Sequence, residues 1–263
     1  MNKDFAPRLL HWFEAHGRHD LPWRSTRDRW AILVSEVMLH QTQVPRVAAV
    51  FDGFLRRFPT PDTMAAAGPG AVIEAWGRLG YPRRARRLYD AAVVIAGQGW
   101  PDDLRELPGV GRYTAAAVLA QADDADLPAV EVNVRRVVER VTRERLSEGA
   151  AEAASVRIGR PLRGRDRLLA LMDVGAMLCR PRAPCCDECP VRRRCATRGP
   201  LPGEARPRQG AFAGSFRQRR GLVMARLRAG PAPAVELDAD ALASLVEDGL
   251  AVVARGRASL PTT

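Results

Sequence analysis

The chain has 263 residues, 46% of them hydrophobic, which is enough to bury a sizeable core in one larger unit and a smaller one. Its formal net charge is +11 and Lys3 is its only lysine, so the positive charge is carried by arginine, whose planar fork suits phosphate. No apolar stretch approaches the ~20 residues of a membrane span, and Met1-Asn2-Lys3-Asp4-Phe5 leads into an amphipathic pattern rather than a signal peptide, so the chain reads as cytoplasmic with a polyanionic partner.

Helical periodicity runs almost unbroken to residue 195, with no convincing period-2 run. It predicts helices over about 4–16, 28–41, 44–57, 69–78, 82–98, 110–121, 133–144, 150–159 and 165–178, separated by Gly and Pro punctuation such as Gly68-Pro69-Gly70 and Gly80-Tyr81-Pro82. The fold class is therefore all-α. From Thr197 to Gly214 the composition turns to Pro, Gly, Arg and Ala and reads as a linker. Beyond it, Ser215–Arg228 and Asp238–Asp248 look helical, with Gly249 as a C-cap. Leu250–Ala254 and Ala258–Leu260 flank Arg255-Gly256-Arg257, a hairpin tip. Helices followed by a basic hairpin fit a small winged-helix-like module, with an ordinary helical cap and β-tail as the alternative.

Three motifs carry chemistry. Glu36 lies in the run Ser35-Glu36-Val37-Met38-Leu39-His40-Gln41-Thr42, after Leu21-Pro22-Trp23-Arg24. A carboxyl among Trp30, Ile32, Leu33, Val34, Val37 and Met38 should keep its proton and serve as a general acid. Next, Leu107-Pro108-Gly109-Val110-Gly111 stands at the mouth of a helix, where small residues let backbone N–H groups and the helix dipole meet an anion. Last, Cys179, Cys186, Cys189 and Cys195 fall within seventeen residues among Pro and Arg, which is no core pattern. Thiolates suit zinc or an iron–sulfur cluster; one short pair bracketed by longer gaps lets the chain wrap a bulkier cubane. Cys185 breaks the spacing and reads as a spare thiol.

Leu21–Arg24, Ser35–Thr42, Leu79-Gly80-Tyr81, Leu107–Thr114, Val130–Arg136 and the four cysteines, in this order, resemble the adenine DNA glycosylases of the MutY type. These belong to the helix-hairpin-helix superfamily that includes endonuclease III. The resemblance spans roughly residues 5–198. It implies a cluster lobe from residues 1–25 and 131–197 and a six-helix barrel lobe from 26–130 with the helix-hairpin-helix; the linker at 198–214 and the winged-helix-like module at 215–263 follow from the residues themselves. Acidic groups from opposite lobes would face an expelled nucleotide.

Residue by residue, the resemblance makes Glu36 the acid that protonates the purine, with Glu131 and Tyr113 stabilising the sugar cation and Asn133 beside them. It gives DNA contacts to Arg24, Leu39, His40, Gln41, Tyr81, Gly109, Val110 and Gly111, and a [4Fe–4S] cluster to Cys179, Cys186, Cys189 and Cys195. The expected partner is double-stranded DNA with a mispaired or damaged base, met by a monomer in the nucleoid. Tyr113 stands where bifunctional relatives carry a Schiff-base lysine, so a monofunctional glycosylase without efficient lyase activity is expected. The module's Arg217, Arg219, Arg220, Arg255 and Arg257 are guessed as further DNA contacts.

The departures matter as much. Glu131 replaces the family aspartate, and a shift of ~1 Å at a reacting centre costs on the order of 100-fold in rate. Val132 replaces a small residue, His40 a glutamine, and Leu168-Leu169 the polar pair that reads the base. Removal of adenine opposite 8-oxoguanine or guanine is the leading expectation. Excision of thymine or uracil opposite guanine, or a weakly catalytic lesion sensor, are the alternatives.

Overall fold

The computed structural model describes residues 5–204 and 210–262. Its helices start where short polar side chains close them. Asp28 Oδ2 accepts from Ala31 N (2.9 Å) ahead of α2 (Arg29–Leu39), and Thr60 and Thr63 form a reciprocal capping box at α4 (Pro61–Trp76). Glu131 caps α7 (Val132–Thr142), Ser147 caps α8 (Glu148–Gly159), Ser215 caps α10 (Phe216–Arg228) and Asp238 caps α11 (Ala239–Glu247). The remaining helices are α1 (Phe5–His16), α3 (Val44–Arg57), α5 (Arg83–Gln98), α6 (Arg112–Ala122) and α9 (Gly164–Asp173). All-α architecture holds to residue 195.

The chain divides into two compact units, residues 5–36 with 111–204, and 37–110 with 210–262. The sequence reading drew its borders after 25 and after 130 and set 215–263 apart. The difference has a physical source. α6 packs on α9 inside the first unit, and Gln121 on α6 bonds to Glu36, which draws both into that unit. Both acidic residues expected on opposite lobes, Glu36 and Glu131, thus belong to the same unit. The first unit's core joins Phe5, Leu9 and Phe13 of α1 to Val134, Val137 and Val138 of α7 and Leu168, Leu169 and Leu171 of α9.

In the second unit, Phe54 packs edge-on against Phe58 and Trp76, with centroids 5.1 and 6.0 Å away. α4 starts at Pro61, well before the expected residue 69, and kinks at Gly68 (φ 79). The Thr60 box was the overlooked start signal. A Cβ on Gly68 would sit 2.9 Å from the Thr262 carbonyl, so the small residues at the kink admit the chain's last described segment.

The 215–262 region runs α10, β1 (Ala232–Pro233), α11, then a hairpin of β2 (Val252–Ala254) and β3 (Arg257–Ser259), in sheet order β1-β3-β2. Arg255 (φ 50) and Gly256 (φ 72) make the two-residue turn that twisted hairpins favour. The two expected helices and the expected hairpin are present, with β1 unforeseen because two residues carry no period. Four of the five arginines guessed as DNA contacts are already bonded to this part of the chain, and Arg228 donates to the Ile73 carbonyl of α4 (3.4 Å). Arg219 pairs with Asp238 and Asp240, Arg220 with Ser244 and Asp248, Arg217 donates to the Gly210 carbonyl and Arg257 to the Pro231 carbonyl. Lys3, the first residue of the expected 4–16 helix and part of the expected linker (205–209) lie outside the described residues.

Candidate active site and cysteine loop

Glu36 enters the first unit from an apolar stretch of α2 and is 8% exposed. Its Oε1 accepts from Gln121 Nε2 (2.7 Å), which also donates to the Ala117 carbonyl (3.3 Å); two acceptors fix that end of the amide as nitrogen. Tyr113 also acts on the ionisation of Glu36, lowering it against burial. Tyr113, Ala117 and Gln121 recur every four residues on α6, so one helical face brings both side chains to Glu36. Gln121 was not foreseen; a lone amide eight residues after a candidate tyrosine was the available signal.

Glu131 is the N-cap of α7. Its Oε1 accepts from Val134 N (2.9 Å) and its Oε2 from Asn133 Nδ2 (2.9 Å). The extra methylene over aspartate lets the carboxylate curl back onto its own helix start. Burial pushes the Glu36 carboxyl up, and the neighbouring Glu131 charge adds to that. Burial also raises Glu131, opposed by the Asn133 and Val134 donors and by Arg136. The pair therefore differs in kind. Burial favours the uncharged form of both carboxyls, but only Glu131 has backbone amide donors and Arg136 among the groups that oppose it. Tyr113 is raised well above the ordinary phenol value, first by burial and then by both acids, so it stays a neutral donor.

Arg24, expected among DNA contacts, is instead buried. Its guanidinium makes two bonds to Asp173 (3.1 and 3.0 Å), which also takes Arg18 and is wholly inaccessible. From there Arg24 acts on the site by charge, lowering both Glu36 and Tyr113 against the burial effect. Leu168 and Leu169 are 3% exposed core residues.

From Asn133 a bonded path leads to the cysteines. Its Oδ1 accepts from Arg136 Nη2 (2.7 Å); Arg136 also donates to the carbonyls of Gly175 (2.6 Å) and Cys179 (2.5 Å). A Cβ on Gly175 would lie 2.6 Å from the Asn133 carbonyl, so only glycine lets the π-turn Val174–Leu178 press against α7. Arg140, 1% exposed, donates to Cys179 Sγ (3.4 Å) and to the carbonyls of Arg180 and Pro181, and pairs with Glu204. Neither arginine was singled out by sequence. Cys179, Cys186, Cys189 and Cys195 line one small cavity of about 20 Å³ with Arg140 and Leu178; Cys185 also lines it and accepts from Arg180 (2.9 Å). Burial pushes the Cys179, Cys189 and Cys195 thiols up, Cys189 to about 11. Among the described residues, no group of three or more His, Cys, Asp or Glu is spaced to hold a metal ion.

The other expected DNA contacts fall in the second unit, Gly111 excepted. α2 ends at Leu39, half-buried; His40 and Gln41 follow, exposed, Gln41 with φ 62. Partial burial and the Arg84 charge lower the His40 imidazole, so it is neutral near pH 7. Tyr81 is 42% exposed at φ 48. Arg84 ties these loops together. It donates to the carbonyls of Val37 (2.8 Å), Met38 (3.0 Å), His40 and Gly80 (3.1 Å) and to Thr42 Oγ1 (2.8 Å), and lies over the Trp76 and Tyr81 rings. Gly109 takes φ 79, and a Cβ there would meet Arg87 at 2.8 Å. Val110 is buried, and Gly111 is the N-cap of α6, without a side-chain cap.

Residues 34–157 match the HhH-GPD superfamily of base excision DNA repair proteins. Adenine DNA glycosylase of Mycolicibacterium smegmatis is 41% identical over 92% of this chain and 90% of its own length. That of Mycobacterium tuberculosis is also 41% identical, over 96% and 92%. A solved thermostable thymine-DNA glycosylase superposes with a TM-score of 0.67 at 29% identity, covering 74% of this chain and 94% of that one. No described helix is long and apolar enough to cross a membrane. Motif order, fold and identity over at least 90% of both chains converge: the protein belongs to the adenine DNA glycosylase family of the HhH-GPD superfamily.

Proposed function

We propose that the protein is a monofunctional DNA glycosylase that removes adenine mispaired with 8-oxoguanine or guanine. One observation carries the reading: a buried carboxyl whose uncharged form burial favours, bonded to Gln121, with Tyr113 and Glu131 acting on its ionisation. The flipped adenine takes the Glu36 proton on a ring nitrogen. The bond from the sugar C1′ to the base then breaks, its electron pair leaving with a neutral base. Glu131 balances the charge left on the sugar, and the Tyr113 hydroxyl orients beside it. Water adds to C1′ and returns a proton to Glu36. Gln41 and Tyr81 enter the duplex at the mispair, and the backbone amides opening α6 at Gly111 hold a phosphate.

Single-turnover assays on duplexes with A·8-oxoguanine, A·G, T·G and U·G test this. Fast release of adenine alone is expected. Thymine or uracil release would move the protein to the other specificity, which the thymine-DNA glycosylase likeness keeps as the second reading. Adenine release only after Glu131→Asp would make the natural chain a lesion sensor.

No lysine stands at position 113, and Lys3 is the sole one in the sequence. The product should therefore be an intact abasic strand that breaks only on heat or alkali. Spontaneous nicking that disappears on substitution of Tyr113 would contradict this.

For the cysteines we propose a [4Fe–4S] cluster held by Cys179, Cys186, Cys189 and Cys195. The fit rests on four thiols lining one cavity, with Arg136 and Arg140 offering positive charge to a negatively charged thiolate cage. When bound, such a cluster supplies iron–thiolate bonds that staple the loop. The purified protein should be brown, and Cys189→Ser should bleach it and lower its Tm. A colourless protein containing zinc would overturn the assignment.

A further inference from the structure

The carboxy-terminal module carries arginines already engaged within it, which leaves its role open. It is tied to the start of α5 by two arginines. Arg83 and Arg86, on the first turn of that helix, both reach the end of α11: Arg83 pairs with Asp248, and Arg86 Nη1 donates to the Gly249 carbonyl (3.0 Å). Asp248 is 3% exposed in its side chain and also takes Arg220 from α10. Burial would raise its carboxyl, but the bonds from Arg83 and Arg220 outweigh that and hold it below the usual range. Three arginines thus converge on one helix C-terminus, where the backbone dipole adds its own attraction.

The turn gripped this way begins two residues after Tyr81. Tyr81 occupies the left-handed region at φ 48, which a non-glycine residue holds only when its flanks are fixed. On one side Arg84 binds the carbonyls at the end of α2 and the Gly80 carbonyl. On the other, Arg83 and Arg86 reach the module. Arg83 and Arg84, neighbours in sequence, thus hold different partners beside the same turn.

We propose that the module is a brace for the mispair-reading turn, and that Asp248 is a positioning residue acting through Arg83 on Tyr81. This rests on the assignment of Tyr81 as a reader of the mispair. Binding of A·8-oxoguanine and of the same duplex fully paired should be compared for the full-length protein, Asp248→Asn, Asp248→Glu, Tyr81→Ala and the Asp248→Asn/Tyr81→Ala double variant. Asp248→Asn should lose roughly tenfold in preference for the mispair, short of the 100-fold that a full ångström of displacement brings. Affinity for the paired duplex should not change, and Asp248→Glu should restore the preference. In the Tyr81→Ala background Asp248→Asn should add nothing.

Unchanged preference in Asp248→Asn, additive losses in the double variant, or an equal loss on paired DNA would each overturn the brace. If Tyr81→Ala alone keeps full preference, the reading role of Tyr81 falls, and the brace with it. If Tyr81→Ala loses preference and Asp248→Asn does not, only the brace falls. Should Asp248→Asn unfold the module, Arg83→Ala cuts the same tether and leaves the Asp248–Arg220 pair, with the same outcomes deciding.

Discussion

Glu36→Gln is expected to lower the single-turnover rate of adenine release by about 10³-fold, within the range for loss of a general acid, while mispair binding persists. Glutamine matches the carboxyl in shape and can still meet Gln121 and Tyr113, but it has no proton to give. The pH dependence follows from the direction of the shift. Burial raises the Glu36 carboxyl, so the competent, protonated form persists above the range of an ordinary glutamate, and the rate falls as pH rises through the raised value. Stability has the same sign. A group whose folded pKa is raised contributes fully below its unfolded value and loses that contribution as pH rises. Removing it should raise Tm at neutral pH, trading activity for stability. A pH-independent rate, or a Gln variant that retains wild-type turnover, would dismantle the general-acid role.

Glu131→Gln is expected to cost about 10²- to 10³-fold, the size of losing one preorganised electrostatic contact. The loss should fall on the chemical step rather than on DNA affinity. Glu131→Asp preserves the charge, and aspartate is an ordinary N-cap, so α7 should start as before with Val134 N still satisfied. The two variants separate charge from reach. Slow Gln with fast Asp assigns the role to charge, whereas equal slowing assigns it to the longer side chain. A Gln variant as fast as wild type would remove Glu131 from the mechanism. Release measured at saturating enzyme, with affinity read separately, keeps binding and chemistry apart.

Much of this site is legible in the chain. Glu36 announces itself as a charge in an apolar helix, and the cysteines by a spacing no hydrophobic core uses. Glu131 and Asn133 are legible as a pair because a side chain two residues from a helix start is placed by the capping geometry. Gln121 is not, since an amide on a helix usually faces water and its role depends on α2 arriving beside it. The arginines are hardest. In a chain where nearly every cation is arginine, sequence cannot separate Arg24, Arg136 and Arg140, buried on carbonyls and carboxylates, from those left for phosphate. The division after Glu36 was equally hidden, because it cuts a helix whose periodicity is continuous. The kinked α4 shows the reverse case. Thr60 and Thr63 spelled its start, but the Gly68-Pro69-Gly70 punctuation drew attention to the second half only.

The Gln121 amide bonds Oε1 of Glu36, and burial favours the uncharged form of that carboxyl. An uncharged acid repels nothing. A strand of phosphates meeting Glu36 and Glu131 would face less negative field than two fully ionised carboxyls would set, and in the proposed reaction the missing charge arises only as the cationic sugar forms.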